Sequence, residues 1–289
     1  MSAIPTDARA LITDSVELAS LPSVVMKAME LLNNPRTSAS DVGQIISQDP
    51  ALSVRLLKIV NSAFYGFPSR IDTISRAITI VGTLELTDLI LGASAIHAFE
   101  KIPNQLVNME KFWDHSLYAG IVARILARYL RAPNTERCFI MGLLHDVGSL
   151  ILFRQQPDRS RQALELCVEQ SMPLHLAERE IFCFDHGEVG AELMHAWKLP
   201  ACFIEVARHH HQPSAAECYR LETAVIHLAD VITDMARGAT ISGKQVSPLE
   251  PGAWELTGLS VDVMEQVVAE ADAQFEEARA AILPGIKAA

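Results

Sequence analysis

Apolar residues recur three and four positions apart along nearly the whole chain, and runs alternating every second residue with Val, Thr and aromatics are absent. A stripe repeating every 3.6 residues buries one face of a helix and cannot bury a strand, so the spacing predicts an all-α protein. Leu21, Val25, Ala28, Met29 and Leu32 form the first clear stripe, which ends at Asn33-Asn34-Pro35. Ser38 or Ser40 with Asp41 opens a short helix. Asp49-Pro50 stops it and starts the next, Asp as cap and Pro in the first turn. Leu52, Leu56, Ile59, Val60 and Ala63 make that helix's inward face, and Gly82 divides two further patterns around residues 75–81 and 83–98.

Lys101 to Asn108 carry a Pro, two Asn and little periodicity, which places a boundary between two helical lobes, residues 1–105 and 106–240. The second lobe reads as helices near 109–131, 137–153, 158–170, 173–181, 187–197, 200–210 and 219–236. A polar link from Gly238 to Pro251 and a stripe of Val261, Met264, Val268, Ala271, Phe275, Ala278 and Ile282 make up residues 241–289. That stripe predicts an amphipathic helix packed back on the body.

The chain's 289 residues suffice for about two compact units with a sizeable core. Lys and Arg total 24 against 35 Asp and Glu, a formal charge of -11, with no basic run. Phosphate backbones are repelled on average, which argues against direct nucleic-acid binding. Hydrophobic residues at 49% and charged ones at 20% exclude a largely disordered chain. The five cysteines include no C-x-x-C pair, so a thiolate zinc site or a disulfide framework is not expected and a reducing cytoplasm is. The start shows no signal-peptide pattern, and the most apolar later stretch, Cys138 to Phe153, is split by His145 and Asp146, so no membrane contact is expected.

All ten histidines lie between His97 and His227, which assigns imidazole chemistry to the second lobe. His115 falls on the stripe of Phe112, Ala119, Val122 and Leu126. His145-Asp146 sits in an apolar run, where an ionised carboxylate costs several kcal/mol unless it is paired or bound to a cation. His186 precedes Val189 and Leu193, His209-His210-His211 closes a helix, and Asp230 lies in another apolar stripe. Imidazole with carboxylate suits one or two divalent ions such as Fe, Mn, Zn or Co. Each motif also has a plainer reading: a self-satisfied His-Asp pair, a solvated triple-His helix end, and core histidines bonded to carbonyls at His97, His175, His195 and His227.

The ordered set His115, His145-Asp146, His186, His210-His211 and Asp230 resembles the metal-ligand series of the HD superfamily of helical phosphohydrolases. His210 and His211 are favoured within the triple, with His209 the spare. Leu21-Pro22, Ile45 to Leu52, Leu56 to Gly66 and Ala77 to Gly82 narrow the resemblance to the HDOD family, the HD-related output domain, over about residues 15–240. The resemblance implies a two-lobed helical fold with an HD-like C-terminal bundle. It also implies bacterial signal transduction, partners that are signalling or regulatory proteins, among them two-component systems, and no proven hydrolase activity. No receiver domain is expected inside this chain. The sequence departs from the active HD-GYP relatives: Ser149 stands where they carry a phosphate-binding lysine, and residues 212–216 lack their Asp-Gly-x-Gly-Tyr-Pro. Losing that cation weakens transition-state stabilisation. The implied function is therefore regulation through protein contacts, with a metal site of weak or no turnover. The alternative is a metal-dependent phosphohydrolase of nucleotides or cyclic dinucleotides. Asn61 to Gly66 reads either as a docking surface or, more simply, as a helix end that locks the lobes together.

Overall fold

A computed structural model describes residues 7–15, 21–32, 36–100, 106–238 and 247–283. Within them sixteen α-helices run in the order α1 (Ala8–Ser15), α2 (Ser23–Leu32), α3 (Ala39–Ile46), α4 (Pro50–Val60), α5 (Ile74–Val81), α6 (Thr83–Glu100), α7 (Met109–Tyr129) and α8 (Thr135–Leu144). They continue as α9 (Val147–Gln155), α10 (Pro157–Gln170), α11 (Leu174–Phe182), α12 (His186–Ala196), α13 (Ala201–His209), α14 (Arg220–Arg237), α15 (Pro251–Thr257) and α16 (Val263–Ile282). Among the described residues there is no strand, so the all-α expectation holds. Of the lobe boundary, residues 101–105 lie outside the described residues, as do 239–246 of the later link and Asn33 to Pro35.

Local chemistry accounts for the helix ends. Ser38 caps α3 in a reciprocal box with Asp41, and Asp49 accepts the amide of Leu52 with Pro50 in the first turn of α4. Asn61 closes α4, and its amide clips the following loop by bonding the carbonyl and the N–H of Ile71. Two short helices carried no clear signal in the sequence. α1 precedes the first stripe and packs on α9 and α12, and α15 packs on α14.

The run 137–153, expected as one helix, is two. α8 ends at Leu144, α9 begins at Val147, and His145 and Asp146 form the corner. Gly148 lies so close to α12 that a Cβ there would fall on the carbonyl oxygen of His186. Consecutive residues of a straight helix point about 100° apart, and the corner lets His145 and Asp146 face the same space.

One apolar core runs through both halves, including Leu56, Phe99, Trp113, Phe139, Phe203 and Phe275. α7 is its axis, packed by α8, α14 and α16, while α6 lies across α8. The Asn61 to Gly66 segment packs inward. The Arg124 guanidinium lies 3.7 Å over the Phe64 ring, and Phe64 meets Phe139 at 5.5 Å between centroids. Tyr65 donates its hydroxyl to Glu136 at 2.8 Å, and Arg124 reaches Glu136 at 3.4 Å and Gln274 of α16 at 2.8 Å. Among the described residues no helix is long and apolar enough to cross a membrane.

Candidate metal centre

The seven residues singled out in the sequence converge on one buried pocket at the corner between α8 and α9, although they come from five separate stretches of chain. Asp146 sits at the centre. Its Oδ1 lies 3.2 Å from His186 Nε2 and 3.5 Å from His210 Nε2, while its Oδ2 lies 3.2 Å from His145 Nε2 and 3.8 Å from His115 Nε2. Asp230, on α14, places Oδ1 3.1 Å from His115 Nε2 and 3.5 Å from His145 Nε2, and Oδ2 4.0 Å from His211 Nδ1. His211 Nε2 and His186 Nε2 are 2.8 Å apart. Asp146 stands just before α9, at the N-cap position, but its side chain makes no capping hydrogen bond, so its carboxylate remains available to the pocket.

The rings are held from behind. His145 and His210 donate Nδ1–H to the carbonyls of Gly142 and Ala207, each at 2.7 Å. A carbonyl only accepts, so the Nε2 of each neutral ring carries a lone pair facing inward. His186 donates Nδ1–H to the Glu178 carboxylate at 2.6 Å. His227, set aside in the sequence, is satisfied by backbone at both nitrogens, donating to the His210 carbonyl and accepting from the Glu250 amide. His175 stacks on His211 at 4.1 Å between ring centroids, and the spare His209 is not among the groups of converging donor atoms.

Burial alone would raise the Asp146 carboxyl, but His145, with His186 and His210, holds it well below the usual carboxylate range. Burial likewise opposes charge on His145, yet Asp146 and Asp230 lift its proton affinity well above the ordinary imidazole value. His186 is raised in the same way by Glu178 and Asp146, against its burial. His211 goes the other way, pushed well down by burial and by the neighbouring His210 and His175. The acids thus draw positive charge into the pocket. Nε2 of His145, Nε2 of His210, Oδ1 of Asp146 and Nδ1 of His211 are buried without a hydrogen bond. Unsatisfied groups in such number are costly in a protein interior, and these converge. Imidazole nitrogens with carboxylate oxygens make a donor set that fits a first-row divalent ion.

Two acids escaped the sequence reading. Glu178 lies in the charged run Glu178-Arg179-Glu180, which reads as a solvated face, whereas the fold buries it. Asp234 lies one helical turn after Asp230, with Oδ1 3.6 Å from His115 Nδ1, and burial followed by the Asp230 charge pushes its carboxyl up to about 7. The i, i+4 spacing from Asp230 was the available signal for Asp234. Glu178 had none, because its burial depends on how α11 meets α12.

The HDOD domain model matches residues 18–213. This chain belongs to the HDOD family. It is 29% identical over 241 residues to an uncharacterized protein of Treponema pallidum (strain Nichols), a match covering 81% of this chain and 46% of that protein, so the HDOD chain spans about half of that relative's length. The crystal structure of an HDOD domain protein of unknown function from Geobacter sulfurreducens superposes with a TM-score of 0.74 at 25% identity, over 95% of this chain and 97% of the other. A protein of Shewanella amazonensis SB2B, named as a candidate phosphohydrolase, gives a TM-score of 0.74 at 22% identity over 97% and 100%, a likeness of fold alone.

Proposed function

We propose that this HDOD chain is a regulatory output module of bacterial signalling, acting in the cytoplasm through protein contacts, and that His115, His145, Asp146, His186, His210, His211 and Asp230 hold one or two divalent ions with little or no hydrolytic turnover. One observation carries the reading. Among the described residues every hydrogen-bond or ion-pair partner of the Asp146 and Asp230 carboxylates is an imidazole, and no lysine or arginine joins them. Ser149, where the active relatives have a lysine, is fully buried with its hydroxyl unpartnered. Arg208, one of the two cations nearest in sequence, is engaged by Glu192 at 2.8 Å. A site of this kind holds a cation but lacks the fixed positive charge that stabilises a phosphoryl transition state.

When bound, an ion would act as a Lewis acid and lower the pKa of coordinated water. The chain's own residues supply the rest. The Gly142 and Ala207 carbonyls orient His145 and His210, and the surrounding apolar helices exclude bulk water. The two oxygens of Asp146 face different histidine pairs, Oδ1 towards His186 and His210 and Oδ2 towards His145 and His115, so these residues could hold two ions, which together would stabilise charge on a phosphoryl group. That division is the observation favouring the second reading, a phosphohydrolase of nucleotides or cyclic dinucleotides.

Elemental analysis of protein purified without chelators tests the first reading. The expected result is retained metal, lost together with thermal stability when His145 and Asp146 are both changed to Ala. Absence of metal in the wild type refutes it. Screening nucleotides with Fe, Mn, Zn and Co separates the two readings: turnover abolished by His145→Ala establishes the enzyme, while turnover that appears only in Ser149→Lys identifies the missing cation as the reason for inactivity.

A further inference from the structure

The four imidazoles whose Nε2 faces Asp146 or Asp230 are each approached at Nδ1 by a different partner. Backbone carbonyls serve His145 and His210, and the Asp234 carboxylate stands 3.6 Å from His115. Among the described residues only His186 is met at Nδ1 by a carboxylate at hydrogen-bond distance: Glu178 Oε2 accepts its Nδ1–H at 2.6 Å and its backbone N–H at 2.9 Å. Glu178 is 1% exposed, and its second oxygen, Oε1, is buried with no hydrogen bond. The adjacent Arg179 does not compensate it, for its guanidinium is turned to Asp185 at 2.7 Å.

A carboxylate is an expensive choice for such a place, since burial disfavours the charge and one oxygen goes unsatisfied. The side-chain oxygen of a glutamine would accept the same two hydrogen bonds without a buried charge. What glutamine lacks is the negative charge, whose effect passes through the ring: it fixes the tautomer with the lone pair on Nε2 and makes that nitrogen a stronger donor to a cation. We propose that Glu178 is a positioning residue of the cluster, holding His186 with its Nε2 lone pair turned into the pocket and strengthening that ring's hold on a divalent ion. The inference rests on the reading that the cluster binds metal.

Titration of the full chain with Co2+, followed by the visible absorption of the bound ion, tests it. Glu178→Gln is expected to bind Co2+ roughly 10- to 100-fold more weakly than wild type, with a shifted absorption band. The rise in thermal midpoint on adding Co2+ should be smaller in Glu178→Gln than in wild type, a difference that a merely structural ion pair would not produce. In a His186→Ala background the same change should alter Co2+ affinity no further. Equal affinity in wild type and Glu178→Gln overturns the role given to Glu178, as does an undiminished effect in the His186→Ala background. A wild type that takes up no Co2+ overturns the metal reading itself. If Glu178→Gln does not fold, Glu178→Asp replaces it, the charge being one methylene short of the ring: weakened Co2+ binding supports the proposal and wild-type binding refutes it.

Discussion

Arg124 is buried on α7, where its guanidinium covers Phe64 and reaches Glu136 and Gln274, so one side chain touches the loop after α4, α8 and α16. Removing one partner of a buried pair strands the other's charge, commonly at about 3 to 5 kcal/mol. Arg124→Met should therefore lower unfolding free energy by about 3 kcal/mol in urea titrations. The double variant with Glu136→Gln should recover part of that loss, because the stranded charge is gone. An unchanged urea midpoint in the single variant would mean that the cluster is indifferent to this cation. The aromatic pair Phe64-Tyr65 was legible as packing because Phe and Tyr beside Gly66 usually pack. The arginine beneath it was not, since a cation on an otherwise apolar stripe gives no sign of where its partners lie.

At the scale of elements, the corner between α8 and α9 determines how the cluster forms. Apolar residues flank His145-Asp146 on both sides, Leu143-Leu144 before and Val147, Leu150 and Ile151 after, so helical periodicity continues across the break. At the corner the backbone of Gly148 lies against that of His186 and Gly190, a tertiary contact that no periodicity encodes. Gly148→Ala forces α9 away from α12. Overpacking of this kind costs about 3 kcal/mol, and metal retention should fall with it because Asp146 and His186 part. Urea denaturation and metal content measured on the same preparation check both. Elsewhere the elements were readable: Asp49-Pro50, Ser38 with Asp41, and Gly82 end or begin helices where their chemistry says they should. The seven site residues were reachable in sequence as an ordered set that resembles the HD ligand series; singly, each also reads as an ordinary core or helix-end group. Glu178 lies among other charges and was not.

For the whole molecule, the packing of α6 on α8 buries Asp88, whose carboxylate lies 3.5 Å from both Arg137 Nε and Asn134 Nδ2. Burial outweighs these partners and pushes its carboxyl up to about 6. The unfolded chain releases that proton near the ordinary value of about 3.9 and the folded protein keeps it to about 6, so this group's stability is full below pH 4, declines between pH 4 and 6 and stays low above. The difference in unfolding free energy between wild type and Asp88→Asn should change by on the order of 2 kcal/mol between pH 4 and pH 7, in favour of the variant at pH 7. A constant difference across that range would show that Asp88 ionises alike in both states. Long-range contacts also join early and late parts of the chain: α1 rests on α9 and α12, and α16 lies against α4 and α7. During synthesis, α1 emerges long before residue 196 completes α12, a wait of roughly 10 to 40 s at ribosomal rates of 5–20 residues per second. Until α9 and then α12 are made, Ala8, Leu11 and Ile12 lack the full native surface that covers them, so the nascent chain carries an uncovered greasy patch that a holdase could grip.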